Sequence, residues 1–398
     1  MRVRKISRLH EDLVNIIHKV ANVANITNVD HFIEFGTDEI DYFLTGTHKV
    51  NIKGTRDGAL VKIRFIIKWH SNPIDRECFR ASYHREYVFY KIIVPKIIEL
   101  QRRYKVIEGL KIKLPNCVFA NIEHDKETIV LYFTNNFGVL DRFHRMDFQH
   151  TSLVIKNLAK LHALSFALQK TYPEDFELIR SLCAKDIQYA DLGSIPKCLI
   201  SYFKSSINVI SNPVAKAKLE DITPSILALL SKCSAPAPNY STICHGECWN
   251  NNILFKYQRP VDVLFVDFQL VRYASPATDI SYFLYMATDP KTLSKHYHQL
   301  IDIYFGTLSA VLRQCDLNVE DVYPKSVFMK HLKDYSVLGL LEALISMKII
   351  TAEAEDALKM KSMKYHAEEP CQSAWLSNAK MQPVFLLSFH VGLICIKA

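Results

Sequence analysis

Apolar residues recur along the chain at two spacings, and these divide it into segments. Over residues 9–24, Leu13, Ile16, Ile17, Val20 and Val23 fall on one stripe, which predicts an amphipathic helix packed on a larger body. Residues 59–69, ALVKIRFIIKW, alternate instead. Val61, Ile63, Phe65, Ile67 and Trp69 share one side and Lys62, Arg64 and Lys68 the other, as in a strand with one buried face. Helical spacing returns over 76–93, where Phe79, Tyr83, Glu86 and Tyr90 recur at steps of four, three and four, so that Glu86 lies on an aromatic stripe. Strands follow within 116–133, ending in TIVLYF. A helix is predicted over 151–170 from Val154, Leu158, Leu161 and Leu168, and residues 183–240 lean helical before the loop SAPAPNY.

The stretch 243–269, ICHGECWNNNILFKYQRPVDVLFVDFQ, reads as a polar loop, a strand at 253–255, a turn through Gln258, Arg259 and Pro260, and a second strand at 261–268. Apart from Asp262 that second strand is apolar on both faces, which predicts burial. Asp267 stands at its end. Burying a carboxylate there is unfavourable unless something cationic neutralises it, and a metal ion would do so. The preceding loop offers His245, Glu247, Asn250, Asn251 and Asn252, and a hairpin of these lengths returns that loop to Asp267. Oxygen ligands from an Asp and an Asn suit magnesium held partly by nucleotide phosphates, with Glu247 close enough to act on a substrate hydroxyl.

Beyond the hairpin, Pro276-Ala277-Thr278-Asp279 opens a helix, with Thr278 or Asp279 suited to cap it. Amphipathic helices follow over 293–314 and 327–360. The final stretch, VFLLSFHVGLICI, is apolar but too short for a full membrane span. A buried strand, a partner-binding segment and an end outside the fold all fit it.

Composition narrows the classes. A chain of 398 residues can fill two lobes, and 49% hydrophobic with 23% charged residues is ordinary for a globular protein. The net charge of +8 is spread rather than massed, so no nucleic-acid surface is indicated, and an acidic ligand such as ATP tolerates the same bias. Ten cysteines at irregular spacings, behind a start without an apolar core, predict free thiols in a reducing cytoplasm. Cys244 and Cys248 flank His245 and Glu247, but no second pair completes a tetrahedral zinc site. No obligate protein partner is evident.

The order His245, Gly246, Glu247, Trp249, Asn252, Phe255, Asp267, Phe268, Gln269 resembles the ecdysteroid-kinase-like (CHK kinase-like) family, within the choline-kinase and aminoglycoside-phosphotransferase group. The resemblance spans about 35–348. It implies an α+β, two-lobed protein-kinase-like fold: a small β-rich nucleotide-binding lobe over 1–134, a larger mainly helical catalytic and acceptor-binding lobe over 135–365, and a tail over 366–398. It also implies transfer of the γ-phosphoryl group of ATP to a hydroxyl of a small molecule, an ecdysteroid or another lipophilic alcohol.

Site roles follow from the same resemblance. Glu247 would accept or orient the hydroxyl proton, with His245 beside it bracing the loop. Asn252 and Asp267 would hold Mg2+. Lys68, in the pattern Ile67-Lys68, matches the family's ATP-binding lysine, and Glu86 is the acid that would orient it toward the phosphates. A surface pair or a snorkelling Glu86 fits the same pattern. Asp279 would hydrogen-bond backbone N–H groups of the catalytic loop, or serve as a plain helix cap. The segment LAKLHALS resembles a supporting helix, which makes His162 a packed histidine rather than a catalytic one. Gly36, Gly46 and Gly54 lie where the family covers the phosphates, though ordinary hairpin turns look the same.

Two departures stand out. The family has Asp where this chain has Glu247, and its acidic hinge element is replaced by Phe133-Thr134-Asn135-Asn136-Phe137-Gly138. A kinase-like fold that binds nucleotide or lipophilic ligand without turnover is therefore the alternative.

Overall fold

The computed structural model describes residues 3–34, 46–70, 73–132, 137–183, 195–257 and 261–350. Gly36, the hinge positions 133–136, the turn at 258–260 and the tail 366–398 lie outside them, as does the expected lobe boundary at 134.

Helix α1 (Val3–Val23) leads into β1 (Thr27–Glu34), β2 (Thr47–Arg56) and β3 (Ala59–Lys68). After two helices come β4 (Asn116–Asn121) and β5 (Thr128–Tyr132), and the five strands form one antiparallel sheet in the order β1-β2-β3-β5-β4. The alternation in β3 does what its pattern predicts: Ile63, Phe65 and Ile67 are buried against Ile17 and Val20 of α1, while Leu60 at the hairpin end is exposed. Lys68, on the opposite face, is buried rather than solvated. At Gly54 a Cβ would meet the Thr27 carbonyl at 2.6 Å, so this glycine permits close packing of β2 on β1.

The helix expected over 76–93 is α2 (Pro73–Val88) in its first part. It passes into a π-helical turn, Phe89–Ile93, and continues as α3 (Val94–Arg103). Pro95 falls in the first turn of α3, where a missing N–H is tolerated, and the wider turn takes up the break in the i→i−4 ladder.

The rest is mainly helical. A short strand β6 (Gly138–Val139) precedes α4 (Phe148–Thr171), α5 (Pro173–Cys183), α6 (Ile195–Asn208), α7 (Pro213–Ile222) and α8 (Ile226–Ser234). Strands β7 (Thr242–Cys244), β8 (Ile253–Lys256), β9 (Asp262–Phe265) and β10 (Arg272–Ala274) interrupt them as a β7–β10 pair and a β6-β8-β9 sheet. The chain then runs through α9 (Pro276–Ala287), α10 (Pro290–Gln314), α11 (Val319–Val322) and α12 (Lys325–Ile350). α10 packs on α4 and α12 on α9, and every residue of α9 is buried. No helix among the described residues is long and apolar enough to cross a membrane.

Two details beside the later site differ from the sequence reading. Strand β9 stops at Phe265 rather than 268, because Asp267 adopts a left-handed φ of 64°, which a strand cannot contain. The cap of α9 is Ser275, whose Oγ accepts from the N–H of Ala277, not Thr278 or Asp279. Pro276 takes the first helical position, which moves the cap one residue earlier and frees Asp279 for other partners.

Candidate active site

Lys68 ends β3 and Glu86 lies in the last turn of α2, on the stripe with Tyr83. Lys68 Nζ donates to Glu86 Oε2 at 2.8 Å, to Asp267 Oδ1 at 2.6 Å and to Gln269 Oε1 at 3.3 Å. One ammonium therefore joins the N-terminal sheet, α2 and the segment after β9. Burial would lower the Lys68 pKa, but Asp267 and then Glu86 raise it above its ordinary value, so it stays charged. Glu86 is pushed up to about 7 by burial, with Lys68 opposing and Asp267 adding to the rise.

The loop after β7 is held from below. The N–H groups of His245 and Gly246 donate to Asp279 Oδ2 and Oδ1 at 2.6 and 2.9 Å. His162 Nε2 donates to the same Oδ2 at 3.1 Å, while its Nδ1 lies 2.8 Å from the Tyr304 hydroxyl. Burial would raise the Asp279 carboxyl, but the His162 hydrogen bond and neighbouring cationic groups hold it at about 2. His162, Cys244 and Asp279 place potential ligand atoms within 4.8 Å of one another. The hydrogen bonds just described, together with Cys244 Sγ donating to the Ala274 and Ser275 carbonyls, account for that cluster without an ion.

Gly246 has a φ of 85°, and a Cβ there would sit 2.0 Å from the Leu270 carbonyl oxygen, so the loop can take this path only with glycine. His245 is fully buried. Its Nε2 donates to the Val266 carbonyl at 3.0 Å, and its Nδ1 accepts from the Glu247 N–H at 3.2 Å. A carbonyl only accepts and an amide N–H only donates, so these partners select the neutral Nε2–H tautomer. Burial also lowers its pKa. The ring clasps the loop to the segment bearing Asp267.

The second backbone atom of Val266 is also tied: its N–H donates to the Asn252 carbonyl at 3.0 Å. Asn252 Nδ2 donates to the Glu247 carbonyl at 2.9 Å, and Glu247 Oε2 accepts from Gln269 Nε2 at 2.9 Å. Asn252, Glu247, Gln269, Lys68 and Asp267 thus form one continuous hydrogen-bonded chain. Burial, and then Asp267, push Glu247 up to about 7. Phe268 stacks on Phe89 of the π-helical turn, with ring centroids 3.4 Å apart and planes at 9°.

Sequence reasoning singled out Lys68, Glu86, His245, Glu247, Asn252, Asp267 and Asp279, and the structure brings all of them into this network. It assigned no role to Gln269, which sits at its centre, nor to Asn250. Asn250 Nδ2 donates to the Asp141 and His144 carbonyls at 2.9 and 2.7 Å, anchoring the loop before α4. Nothing in the run Asn250-Asn251-Asn252 distinguishes the amide that faces the site from the one that holds a neighbouring loop.

An antiparallel sheet at the N-terminal end and a largely helical remainder, joined through this network, are the frame of a chain whose family match places it among small-molecule kinase-like phosphotransferases. Residues 39–317 match the model of the ecdysteroid kinase-like family, and the chain belongs to that family. None of the curated proteins compared matches the sequence. Among solved structures, an ethanolamine kinase from Plasmodium vivax is 14% identical, with 85% of this chain and 82% of that chain covered and a TM-score of 0.40. A macrolide 2'-phosphotransferase from Brachybacterium faecium is 13% identical over 90% of this chain and 100% of that chain, TM-score 0.40. A microcompartment-associated aminopropanol kinase is 11% identical over 88% and 94%, TM-score 0.44. The assignment rests on the family match rather than on these overlaps.

Proposed function

We propose that the protein transfers the γ-phosphoryl group of ATP to a hydroxyl of a small molecule, with an ecdysteroid or another lipophilic alcohol as acceptor. The observation that carries this reading is the meeting of Lys68 with Glu86 and with Asp267, a residue 199 positions away, at 2.8 and 2.6 Å. A purely structural ion pair needs one acid. Here both Glu86 and Asp267 contact Lys68, Glu247 lies one Gln269 amide away, and Glu86 and Glu247 are pushed up to about 7. That acid surplus fits a divalent cation, which Asp267 and Asn252 would hold through carboxylate and amide oxygens. Magnesium, when bound, would neutralise charge on the transferring phosphate.

The protein's own groups divide the work. Lys68, oriented by Glu86, grips phosphate oxygens of the nucleotide. Glu247, poised near neutrality, takes the proton of the acceptor hydroxyl as its oxygen bonds to the γ-phosphorus and the bond to the departing ADP oxygen breaks. His245 and Asp279 hold the loop that carries Glu247. The described cysteines are free thiols, which suits a cytoplasmic setting.

Two measurements test the reading. MgATP at a hundred times its Kd should stabilise the fold by about 2.7 kcal/mol, seen as a rise in melting temperature. Phosphoryl transfer to a panel of sterols and amino alcohols should appear with the native protein and vanish with Asp267→Ala. Transfer that survives Asp267→Ala overturns the metal assignment. An inert native protein that gains activity from Glu247→Asp establishes instead a fold that binds without turnover.

A further inference from the structure

We propose that Gln269 is a positioning residue that tethers the Glu247 carboxylate to Lys68, so that the proton acceptor and the phosphate-gripping cation move as one unit. The inference rests on the phosphotransferase reading above and extends it to a residue to which that reading gives no task.

The geometry selects an amide. Lys68 Nζ can only donate, and an ionised Glu247 can only accept. A side chain that bridges them must present an acceptor on one side and a donor on the other. Gln269 does so with Oε1 3.3 Å from Lys68 Nζ and Nε2 2.9 Å from Glu247 Oε2. These partners also fix the direction of the amide, since the flipped orientation would set two donors against each other at lysine and two oxygens against each other at glutamate. A carboxylate at 269 would oppose Glu247, a hydrocarbon would join neither group, and asparagine is one methylene too short.

The backbone beneath Gln269 is anchored from three directions. Phe268 is stacked on Phe89, the Val271 N–H donates to the Phe268 carbonyl at 3.1 Å, and the preceding Val266 is held by His245 and Asn252. Glu247, in contrast, is half-buried and reaches the site on a side chain with three rotatable bonds. Apart from its backbone contacts, the Gln269 amide is the hydrogen bond that the structure shows on its carboxylate. A flexible base is thereby held by a fixed amide.

The test is a double-mutant cycle on kcat, with the KM for MgATP followed in parallel. Gln269→Met should lower kcat by on the order of tenfold to a hundredfold, as expected for a misplaced reacting group, while the KM for MgATP changes far less. In Glu247→Asp the shorter carboxylate no longer reaches the amide, so adding Gln269→Met to it should have little further effect on kcat. Additive effects, or a Gln269→Met protein within twofold of the native kcat, overturn the proposal. A crystal structure of the Gln269→Met protein separates this question from the activity itself. The Glu247 carboxylate should leave its place beside position 269, and a carboxylate that stays put refutes the tether whether or not the native protein transfers phosphate.

Discussion

The backbone N–H of His245 donates to Oδ2 of Asp279 at 2.6 Å, across 34 positions of sequence and against a helix buried along its whole length. The loop that carries Glu247 is therefore fastened to the interior rather than to the surface. Asp279 serves as the fastening because its second oxygen takes the N–H of Gly246 while His162 supplies a donor from α4.

Removing that carboxylate strands two buried N–H groups and the His162 ring. Asp279→Ala should destabilise the fold by about 3 kcal/mol in urea unfolding. A loss below about 1 kcal/mol would show that water or a neighbouring side chain replaces the carboxylate.

Gly246→Ala probes the same loop from its backbone. The new Cβ would lie 2.0 Å from the Leu270 carbonyl oxygen at a φ of 85°, so either the loop or the segment after Gln269 must shift. A destabilisation of about 2 kcal/mol or more is expected, with loss of phosphoryl transfer even where the protein remains folded. A fully active Gly246→Ala protein would mean that the loop tolerates a path the structure does not show.

Lys68 holds the acids of the site together. Lys68→Met should weaken MgATP binding by at least about tenfold, and so cut the stabilisation at the same MgATP concentration from about 2.7 to about 1.4 kcal/mol or less, because it removes the proposed phosphate-binding cation. Glu86→Gln leaves the Lys68–Asp267 contact in place, so its effect on the MgATP Kd should be smaller. Equal losses from the two substitutions would assign Glu86 more than an orienting role.

Stability should also depend on pH through two buried histidines to which the proposed reaction gives no task. Burial pushes His331 down to about 4, and its Nδ1 faces the hydroxyls of Ser275 and Tyr323 at 2.8 and 3.1 Å. His48, buried with its Nε2 3.3 Å from the Trp69 carbonyl, is likewise pushed down to about 4. The unfolded chain binds these protons near pH 6.5 and the folded chain only near pH 4. Stability should therefore fall as pH drops from 6.5 to 4, by about 3 kcal/mol for each histidine. His331→Asn should remove its share of that slope in urea midpoints measured across the window; an unchanged slope would show that His331 is protonated in the fold.

Much of this was legible from spacing alone. Alternation marked β3 and its buried face, the four-three-four recurrence put Glu86 on the inside of α2, and the hairpin lengths returned Asp267 toward Glu247. Those features are local, because a strand or helix repeats every two or 3.6 residues and a short turn restricts where its ends meet. Local reading failed where a longer-range contact overruled it. The stripe over 76–93 reads as one regular helix, but its last turn, Phe89–Ile93, is π-helical and stacks Phe89 on Phe268. Thr278 and Asp279 were equally good caps until Pro276 moved that task to Ser275.

By itself the sequence determined which groups were present and on which side of their own element each one stood: a lysine at the end of a strand, an acid on a helix stripe, and a carboxylate closing an apolar run. Tertiary structure alone decided which of them share charge and who holds whom. Lys68 meets Asp267, Gln269 lies between Lys68 and Glu247, and Asp279 grips the loop because hydrogen bonds form between groups a few ångströms apart in space, a distance that separation along the chain does not specify.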